Sequence, residues 1–145
     1  MNRMIFINLP VRDIEATTAF YTSLGFAFNP AFASPQSACM ALNDSAFVMW
    51  LSYEHFADFT DGAAILDPRE NTTAALYALS ADSREAVDAT VAAAVAAGGA
   101  EHGAAQDHGF MYSRAFRDLE GHGWQVMWMD PQAAADGPPD MAETA

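Results

Sequence analysis

The alternation of apolar and polar positions predicts the same order of elements in both halves of the chain. In the first half, a near-continuous apolar run over residues 4–9 predicts a buried strand. Apolar residues at helical spacing between positions 14 and 24 predict a helix that Asp13 caps and Gly25 ends. Three further strands are predicted over residues 26–32, 38–42 and 46–53. The first half is therefore expected to run β-α-β-β-β.

The second half repeats this order. Its strands are predicted over residues 72–81 and 100–105, with two more between residues 108 and 130. A helix follows the first of these strands, beginning at Asp82 and ending at Gly98. An acidic turn joins the last two strands, and its Gly121 and Gly123 can adopt positive φ. The repeat indicates an internal duplication within an α+β protein.

The limits of the two modules follow from where the pattern fades. The first βαβββ module with its connector is assigned to residues 1–65, and the second module to residues 66–130. The connector region at residues 54–71 has no sustained period and is a candidate for a flap over a pocket. Residues 131–145 also lack a period, which predicts a disordered tail, with docking on a neighbouring surface as the alternative.

Composition then narrows the classes of function. Lysine and arginine number 6 against 19 aspartates and glutamates, and this net charge of −13 disfavours nucleic acids and anionic membranes as partners. The single cysteine, Cys39, excludes an internal disulfide and suits a reducing cytoplasm. No apolar run approaches about 18 residues, so no transmembrane helix is predicted. Hydrophobic residues make up 52% of the chain, enough to build a core.

Several stretches of this sequence resemble a known superfamily. The opening Ile5–Asp13, with Phe20-Tyr21 and Leu24-Gly25-Phe26, is similar to the start of vicinal-oxygen-chelate proteins, which include glyoxalase I, bleomycin-resistance proteins and extradiol dioxygenases. The turn Asp118–His122 resembles the closing Asp-Pro-Asp-Gly hairpin of that superfamily. The resemblance covers residues 4–130. It implies a glyoxalase-like fold, in which two βαβββ modules form a curved mixed sheet around a cleft, often in a homodimer.

The resemblance also implies where a metal would bind. In the metalloenzymes of this superfamily, four inward-pointing side chains hold a divalent metal that chelates two neighbouring substrate oxygens. Carried over to this sequence, those positions are Phe6, Trp50, Leu76 and Gln125. Phenylalanine and leucine offer no lone pair, the tryptophan indole only donates a hydrogen bond, and a lone glutamine amide holds a metal poorly. We therefore expect neither a metal nor a cofactor, and a divalent metal bound through other ligands is the alternative.

Strand alternation assigns a wider set of side chains to the cleft. The predicted ligand-binding residues are Phe6, Asn8, Trp50, Leu76, Gln125 and Met127. Such an apolar and aromatic lining suits an aromatic or planar ligand oriented by one or two hydrogen bonds, and an acidic surface favours a cationic one. The alternative is that Phe6 and Trp50 simply fill the cleft.

Catalytic chemistry has two candidate residues. His108 is the candidate general acid or base, because imidazole titrates near neutral pH, and Tyr112 or Asp107 would orient it. A loop histidine bonded to backbone is the alternative. Arg114 and Arg117 are interpreted either as ion-pair partners of the acidic turn or as a clamp for a substrate carboxylate.

Three hypotheses for function follow. The first is a small-molecule-binding protein of the glyoxalase and bleomycin-resistance type, with no standard metal site. The second is a divalent-metal-dependent lyase or dioxygenase of the same superfamily that uses noncanonical ligands. The third is a structural or regulatory partner that has kept only the fold. Under the first hypothesis we expect a cytoplasmic homodimer whose partner is a small molecule, with no role for nucleic acid or membrane.

Overall fold

The computed structural model describes residues 2–137, which form two compact units. The first unit contains the chain up to Ala74 together with the turn Leu119–His122. The second contains Ala75–Asp118 and, within the described residues, the chain from Gly123 onward. The first module predicted from the sequence ends at residue 65, whereas the first compact unit also takes in the rest of the connector and one turn from the second hairpin.

The first unit has the predicted β-α-β-β-β order. Its elements are β1 Ile5–Val11, α1 Ile14–Ser23, β2 Ala27–Ser34, β3 Ser37–Ala41, β4 Ala46–Ser52, the short α2 Tyr53–Ala57 and a 3-10 turn at Pro68–Glu70. The strands form a sheet in the order β1-β4-β3-β2. The pair β1 and β4 is parallel, and the other pairs are antiparallel.

The second unit repeats this arrangement with one strand broken. Its elements are β5 Tyr77–Ser80, α3 Arg84–Ala96, β6 Ala100–Glu101, β7 Gln106–Asp107, β8 Met111–Arg117, β9 Gly123–Met129 and α4 Pro131–Asp136. The sheet order is β5-β9-β8-β6, and β7 also pairs with β8. The pair β5 and β9 is parallel, as β1 and β4 are. The predicted α+β class and its two βαβββ modules are confirmed.

Local chemistry sets the ends of both long helices. The Asp13 carboxylate accepts a hydrogen bond from the Ala16 amide at 2.9 Å, as predicted for the cap of α1. In α3 the cap is Ser83, whose hydroxyl accepts from the Ala86 amide at 3.0 Å, so the predicted start at Asp82 was one residue early. Gly25 follows the end of α1 with a φ of +98°, which only glycine adopts without strain.

In each unit the helix packs on one face of its own sheet. Tyr21 of α1 stacks on Trp50 of β4 with 4.9 Å between ring centroids, and both side chains are buried. In α3 the side chains of Val87, Val91 and Ala94 are fully buried. Burial of this apolar surface is the main source of stability for each unit.

The segment predicted as a disordered tail begins with a helix. Asp130 caps α4 by accepting from the Gln132 amide at 2.8 Å, and Pro131 occupies its first turn, where a missing N–H does no harm. The prediction missed this helix because six residues are too few to show a helical period. Residues 138–145 lie outside the described part of the chain. Between residues 2 and 137, no helix has the length and apolar character needed to cross a membrane.

Candidate functional site

The helix-free face of the first sheet, meaning the side opposite α1, carries exposed aromatic surface. The register of β1 and β4 places Phe6 beside Phe47 and Asn8 beside Met49. The two phenylalanine rings stack with 5.0 Å between centroids and an interplanar angle of 14°. Phe6 keeps 46% of its surface exposed. An aromatic ring left open to solvent on a sheet face is available to a ligand.

Trp50 does not lie on that face, which corrects the predicted set. It pairs with Leu9 in the parallel register and stacks on Tyr21 of the helix, so its indole belongs to the core. Because side chains alternate along a strand, Met49 rather than Trp50 shares the helix-free face with Phe6. The error was a shift of one residue, and β4 gives no warning of it because it is apolar on both faces.

The helix-free face of the second sheet holds the other predicted residues. Ala78 lies beside Gln125 and Ser80 beside Met127 in the parallel pair β5 and β9. Leu76, two residues before Ala78, contacts Gly123 closely: a Cβ on that glycine would lie 3.2 Å from Leu76 Cδ2. Leu76 is 56% exposed, and Gln125 is exposed as well. The face thus combines an apolar patch with one free amide.

A cavity of about 230 Å³ opens on this face of the second unit. Strands β8 and β9 contribute Ser113, Ala115 and Gln125 to its lining, with Leu76 beside them. The chain around the break between β6 and β7 completes the cavity, and its lining residues are His102, Gly103, Ala104 and Gln106. Sequence analysis missed this second group, because a short polar strand gives no sign that it will break. The only local signal is Gly103, whose φ of +70° marks the turn.

The polar groups of this cavity are arranged for hydrogen bonding. Arg117 Nε donates to His102 Nδ1 at 3.3 Å, and the other ring nitrogen, Nε2, is a second polar atom of this side chain. Gln106 and Gln125 supply amides, each with a donor and an acceptor. The cavity therefore offers directed hydrogen bonds beside an apolar patch, the usual composition of a small-molecule site.

Arg114 also lines the cavity, but its guanidinium is directed to other partners and is already neutralised. It forms ion pairs with Asp88 and Glu101, both at 2.8 Å. The hydrogen bond from Arg114 lowers the pKa of Glu101. For Asp88, the hydrogen bond from Tyr112 comes first in lowering the pKa, and Arg114 adds to it. These partners differ from the acidic turn predicted for Arg114, and they leave little charge for a substrate carboxylate.

His108 has no orienting partner in the described residues 2–137. Its ring lies 6.2 Å from that of Phe110, and only its backbone N–H is bonded, to the Met111 carbonyl at 2.8 Å. Tyr112 instead donates to Asp88 at 2.7 Å. The geometry thus brings neither predicted partner to His108, since Asp107 is engaged elsewhere.

Asp107 is held by Arg84 in a two-point contact. The guanidinium nitrogens donate to the two carboxylate oxygens at 2.8 and 3.0 Å. The same guanidinium lies over the rings of Tyr112 and Trp128, at 5.2 and 5.0 Å from their centroids. The hydrogen bonds from Arg84, followed by one from the Gly109 amide, lower the pKa of Asp107 to about 2. These contacts hold side chains together on the surface of the second unit. We therefore assign the cluster a structural role.

The acidic turn of the second hairpin completes the first unit. The Glu120 carboxylate accepts from the backbone amides of Arg12 and Asp13, at 2.9 and 3.1 Å. His122 Nε2 bonds to the Pro10 carbonyl at 2.8 Å. Glu120 and His122 are almost completely buried. The turn therefore has a structural role, which the predicted hairpin chemistry did not anticipate.

The connector also contacts the segment of the first unit around Arg12. Arg12 pairs with Asp67 at 2.5 Å, and its guanidinium lies 5.2 Å from the centroid of the Tyr53 ring. Burial, and next the nearby Asp67 carboxylate, raise the pKa of Tyr53 to about 12. Thr72 donates to the Asp67 carbonyl at 2.7 Å. These contacts fasten a segment that the sequence suggested as a flap.

The side chains at the positions implied for a metal do not fit one. The first unit presents Phe6 and Met49 on its helix-free face, and the second presents Leu76 and Gln125. Only the Gln125 amide has an oxygen ligand for a hard cation. Across residues 2–137, no three His, Cys, Asp or Glu side chains are grouped so that they could hold a metal ion.

Comparison with known proteins shows which proteins have a similar fold. Residues 3–43 match the family model described as bleomycin resistance protein-like N-terminal. No curated protein sequence matches the chain. A glyoxalase-related enzyme from Fulvimarina pelagi is similar in structure, with a TM-score of 0.73, 21% identity and coverage of 88% of both chains.

Two further solved structures are similar to the structure of this chain. One is a hypothetical protein from S. aureus, with a TM-score of 0.72, 24% identity, and coverage of 88% of this chain and 95% of that one. The other is a glyoxalase/bleomycin resistance protein/dioxygenase family enzyme from Burkholderia phytofirmans, with a TM-score of 0.68, 24% identity, and coverage of 86% and 96%.

Sheet order, helix packing and these neighbours define the class: an α+β protein of paired βαβββ modules. The chain has the fold of the vicinal-oxygen-chelate superfamily, and the resemblance inferred from its sequence is confirmed.

Proposed function

We propose that this chain is a small-molecule-binding protein that uses the helix-free faces of its sheets without a resident metal. The observation that carries the proposal is the cavity of about 230 Å³ in the second unit, where the exposed Leu76 adjoins the free amide of Gln125. Ligand sites commonly join an apolar lining to a few placed polar groups. The exposed ring of Phe6 offers a separate stacking surface on the first unit.

The lining favours a ligand with a planar body and a polar edge. Gln106 and Gln125 each offer a donor and an acceptor, which match an amide, carbonyl or ring nitrogen. Because Arg114 is already paired with two carboxylates, a free carboxylate is a poor choice of ligand. The volume is below the usual range for drug-sized sites, about 300–1,000 Å³, so one ring is the expected size.

Binding without catalysis accounts for the arrangement better than a metal-dependent reaction does. The implied ligand positions hold mainly carbon and sulfur atoms, which are unsuitable for a hard divalent cation. His108, the candidate acid or base, lacks a side-chain partner within residues 2–137. The homodimer stays a prediction, which light scattering at two protein concentrations would test.

The test is a thermal-shift screen of single-ring planar compounds, followed by calorimetry on the hits. A ligand that binds the folded state raises the melting temperature by mass action. Gln125→Leu should weaken binding of a hit by about tenfold, since it removes a directed hydrogen bond from a partly enclosed site. Gln36→Leu, at an exposed position of the first unit, is the control and should bind as the parent does.

Two results would contradict the proposal. One is unchanged affinity in Gln125→Leu together with Leu76→Ala. The other is stoichiometric binding of nickel, zinc, manganese or iron that raises the melting temperature, which would favour the metal-dependent lyase or dioxygenase.

A further inference from the structure

A second cavity lies on the helix side of the first unit. It occupies about 720 Å³ between the outer surface of α1 and the hairpin formed by β2 and β3. Its apolar lining includes Ala19 from the helix and Phe28, Pro30 and Ala33 from the hairpin. The volume is within the range of sites for drug-sized molecules. We call it the α1 groove. It shares no lining residue with the cavity of the second unit.

Four of the five hydroxyl groups that line the α1 groove already form hydrogen bonds. Thr18 Oγ1 donates to the Ile14 carbonyl at 2.9 Å, and Ser23 Oγ donates to the Phe20 carbonyl at 2.6 Å. The hydroxyls of Ser34 and Ser37 bond to each other at 2.8 Å. Groups paired in this way compete poorly for a ligand's polar atoms. An occupant of the groove must therefore be mostly apolar.

One charged group stands out in this lining. Glu15 lines the α1 groove and also an adjoining cavity of about 560 Å³ at the start of the helix. Within residues 2–137, no hydrogen bond or ion pair engages its carboxylate. The basic residue of the adjoining cavity, Arg12, already pairs with Asp67. The uncompensated charge at this end of the groove is negative, which favours a cation.

We propose that the α1 groove binds a small apolar molecule carrying one positive charge. The apolar body packs between Ala19 and the hairpin residues Phe28 and Ala33, while an ammonium group lies beside Glu15. Removal of apolar surface from water drives the association. The carboxylate selects a cation over a neutral or anionic molecule of the same shape.

The experiment uses three probes that share one ring system. Calorimetry and amide NMR shifts are recorded with 1-naphthylmethylammonium, 1-naphthylmethanol and 1-naphthylacetate. The ammonium compound should bind most tightly, the alcohol about fivefold more weakly, and the carboxylate most weakly of the three. The shifted amides should be those around Ile14, Ala19 and Ala33.

Two variants separate the roles of charge and shape. Glu15→Gln should weaken the ammonium probe by about fivefold and leave the alcohol unchanged. Glu85→Gln makes the same charge change in the first turn of α3, so it controls for net charge and for the helix dipole. Ala19→Phe should fill the groove and abolish binding of all three probes. Ala92→Phe, on the exposed side of α3, is its control.

Several outcomes would overturn the proposal. These are equal affinity for the three probes, equal effects of Glu15→Gln and Glu85→Gln, and shifts confined to the second unit. A dimer that Ala19→Phe dissociates would also overturn it, by showing that a second copy covers the groove. Because Gln125 lies in the other unit, Gln125→Leu should leave probe binding intact, which separates this test from that of the proposed function.

Discussion

The two units share a strand order but keep open space on opposite sides of their sheets. In the first unit β2 is a single strand of 8 residues, whose pairing with β3 shifts register between Asn29 and Ser34, and this hairpin borders the α1 groove on the helix side. In the second unit the matching strand is broken into β6 and β7, which have 2 residues each. The chain between them lines a cavity that includes the exposed face of Gln125.

This difference shows how a duplicated architecture diverges without losing its core. Each unit keeps a parallel pair between its first and last strands and a buried aromatic under its helix, Trp50 in one and Trp124 in the other. What changes is the second strand, which lies toward the edge and contributes little to the core. Edge strands tolerate a break because fewer hydrogen bonds and less buried surface depend on them.

The substitutions with the largest expected effect on stability test whether the cores of the two units are equivalent. Trp50→Ala and Trp124→Ala should each lower the free energy of unfolding by about 3–5 kcal/mol, because each removes a large buried ring. Urea denaturation followed by circular dichroism measures the change. Phe6→Ala is the control on the opposite face of the first sheet. Since Phe6 is 46% exposed, its loss should be less than about 1 kcal/mol.

If Phe6→Ala destabilised the protein as much as Trp50→Ala, the assignment of the two faces of the first sheet would be wrong. Unequal effects of the two tryptophan variants would instead show that the two cores are not equivalent.

A smaller effect tests how the acidic turn joins the first unit. Gly121 has a φ of +90°, and a Cβ there would lie 2.9 Å from the Pro68 carbonyl carbon. Gly121→Ala should therefore cost about 3 kcal/mol, from backbone strain and from displacement of Pro68. Gly25→Ala is matched in backbone conformation, with a φ of +98°, but its Cβ would meet nothing within 4 Å. It should cost only about 1–2 kcal/mol.

Thermal unfolding of both glycine variants gives the comparison. Equal losses would mean that the close approach to Pro68 has no energetic consequence, and the turn would then be merely adjacent to the first unit.

The smallest expected effect on stability comes from the ion pair between Asp107 and Arg84 on the surface of the second unit. The folded pKa of Asp107, about 2, lies below the ordinary aspartate value of about 3.9. Its contact with Arg84 therefore adds stability above pH 4, and this contribution is lost as the pH falls through about 2. Carbon-13 NMR of the carboxyl group should report the titration.

Arg84→Gln should raise the Asp107 pKa toward its ordinary value. Arg69→Gln, which removes a partner of Asp67 in the first unit, should leave it unchanged. A pKa of Asp107 that stays near 2 in Arg84→Gln would show that another group holds the carboxylate.

The sequence predicted the fold well because its signals are local. Asp13, Gly25 and Gly98 mark helix ends through capping and positive φ, and each acts within a few residues. The faces of the strands were harder to predict. In β4, Phe47 to Leu51 is apolar throughout, so alternation could not show whether Trp50 or Met49 faces the helix. That choice depends on the register with β1, which the sequence does not contain.

The candidate site was predicted only in part, for a related reason. Gln125 and Met127 lie on the regular strand β9, where a period of two assigns their face, and Leu76 lies directly before β5. His102 and Gln106 enter the same cavity through a break in a polar edge strand, which has no periodic signature. The partners of Arg114 and Glu120 are distant in sequence, so propensity and spacing could not identify them.

The bonds from Glu120 to the amides of Arg12 and Asp13 also bear on the order of folding during synthesis. These partners are 108 and 107 residues apart in the chain. The ribosome must release the Ala75–Asp118 segment of the second unit before the carboxylate that completes the first unit emerges. Contacts of such long sequence separation slow folding. Although the architecture is duplicated, the first unit cannot finish folding as an early, independent module.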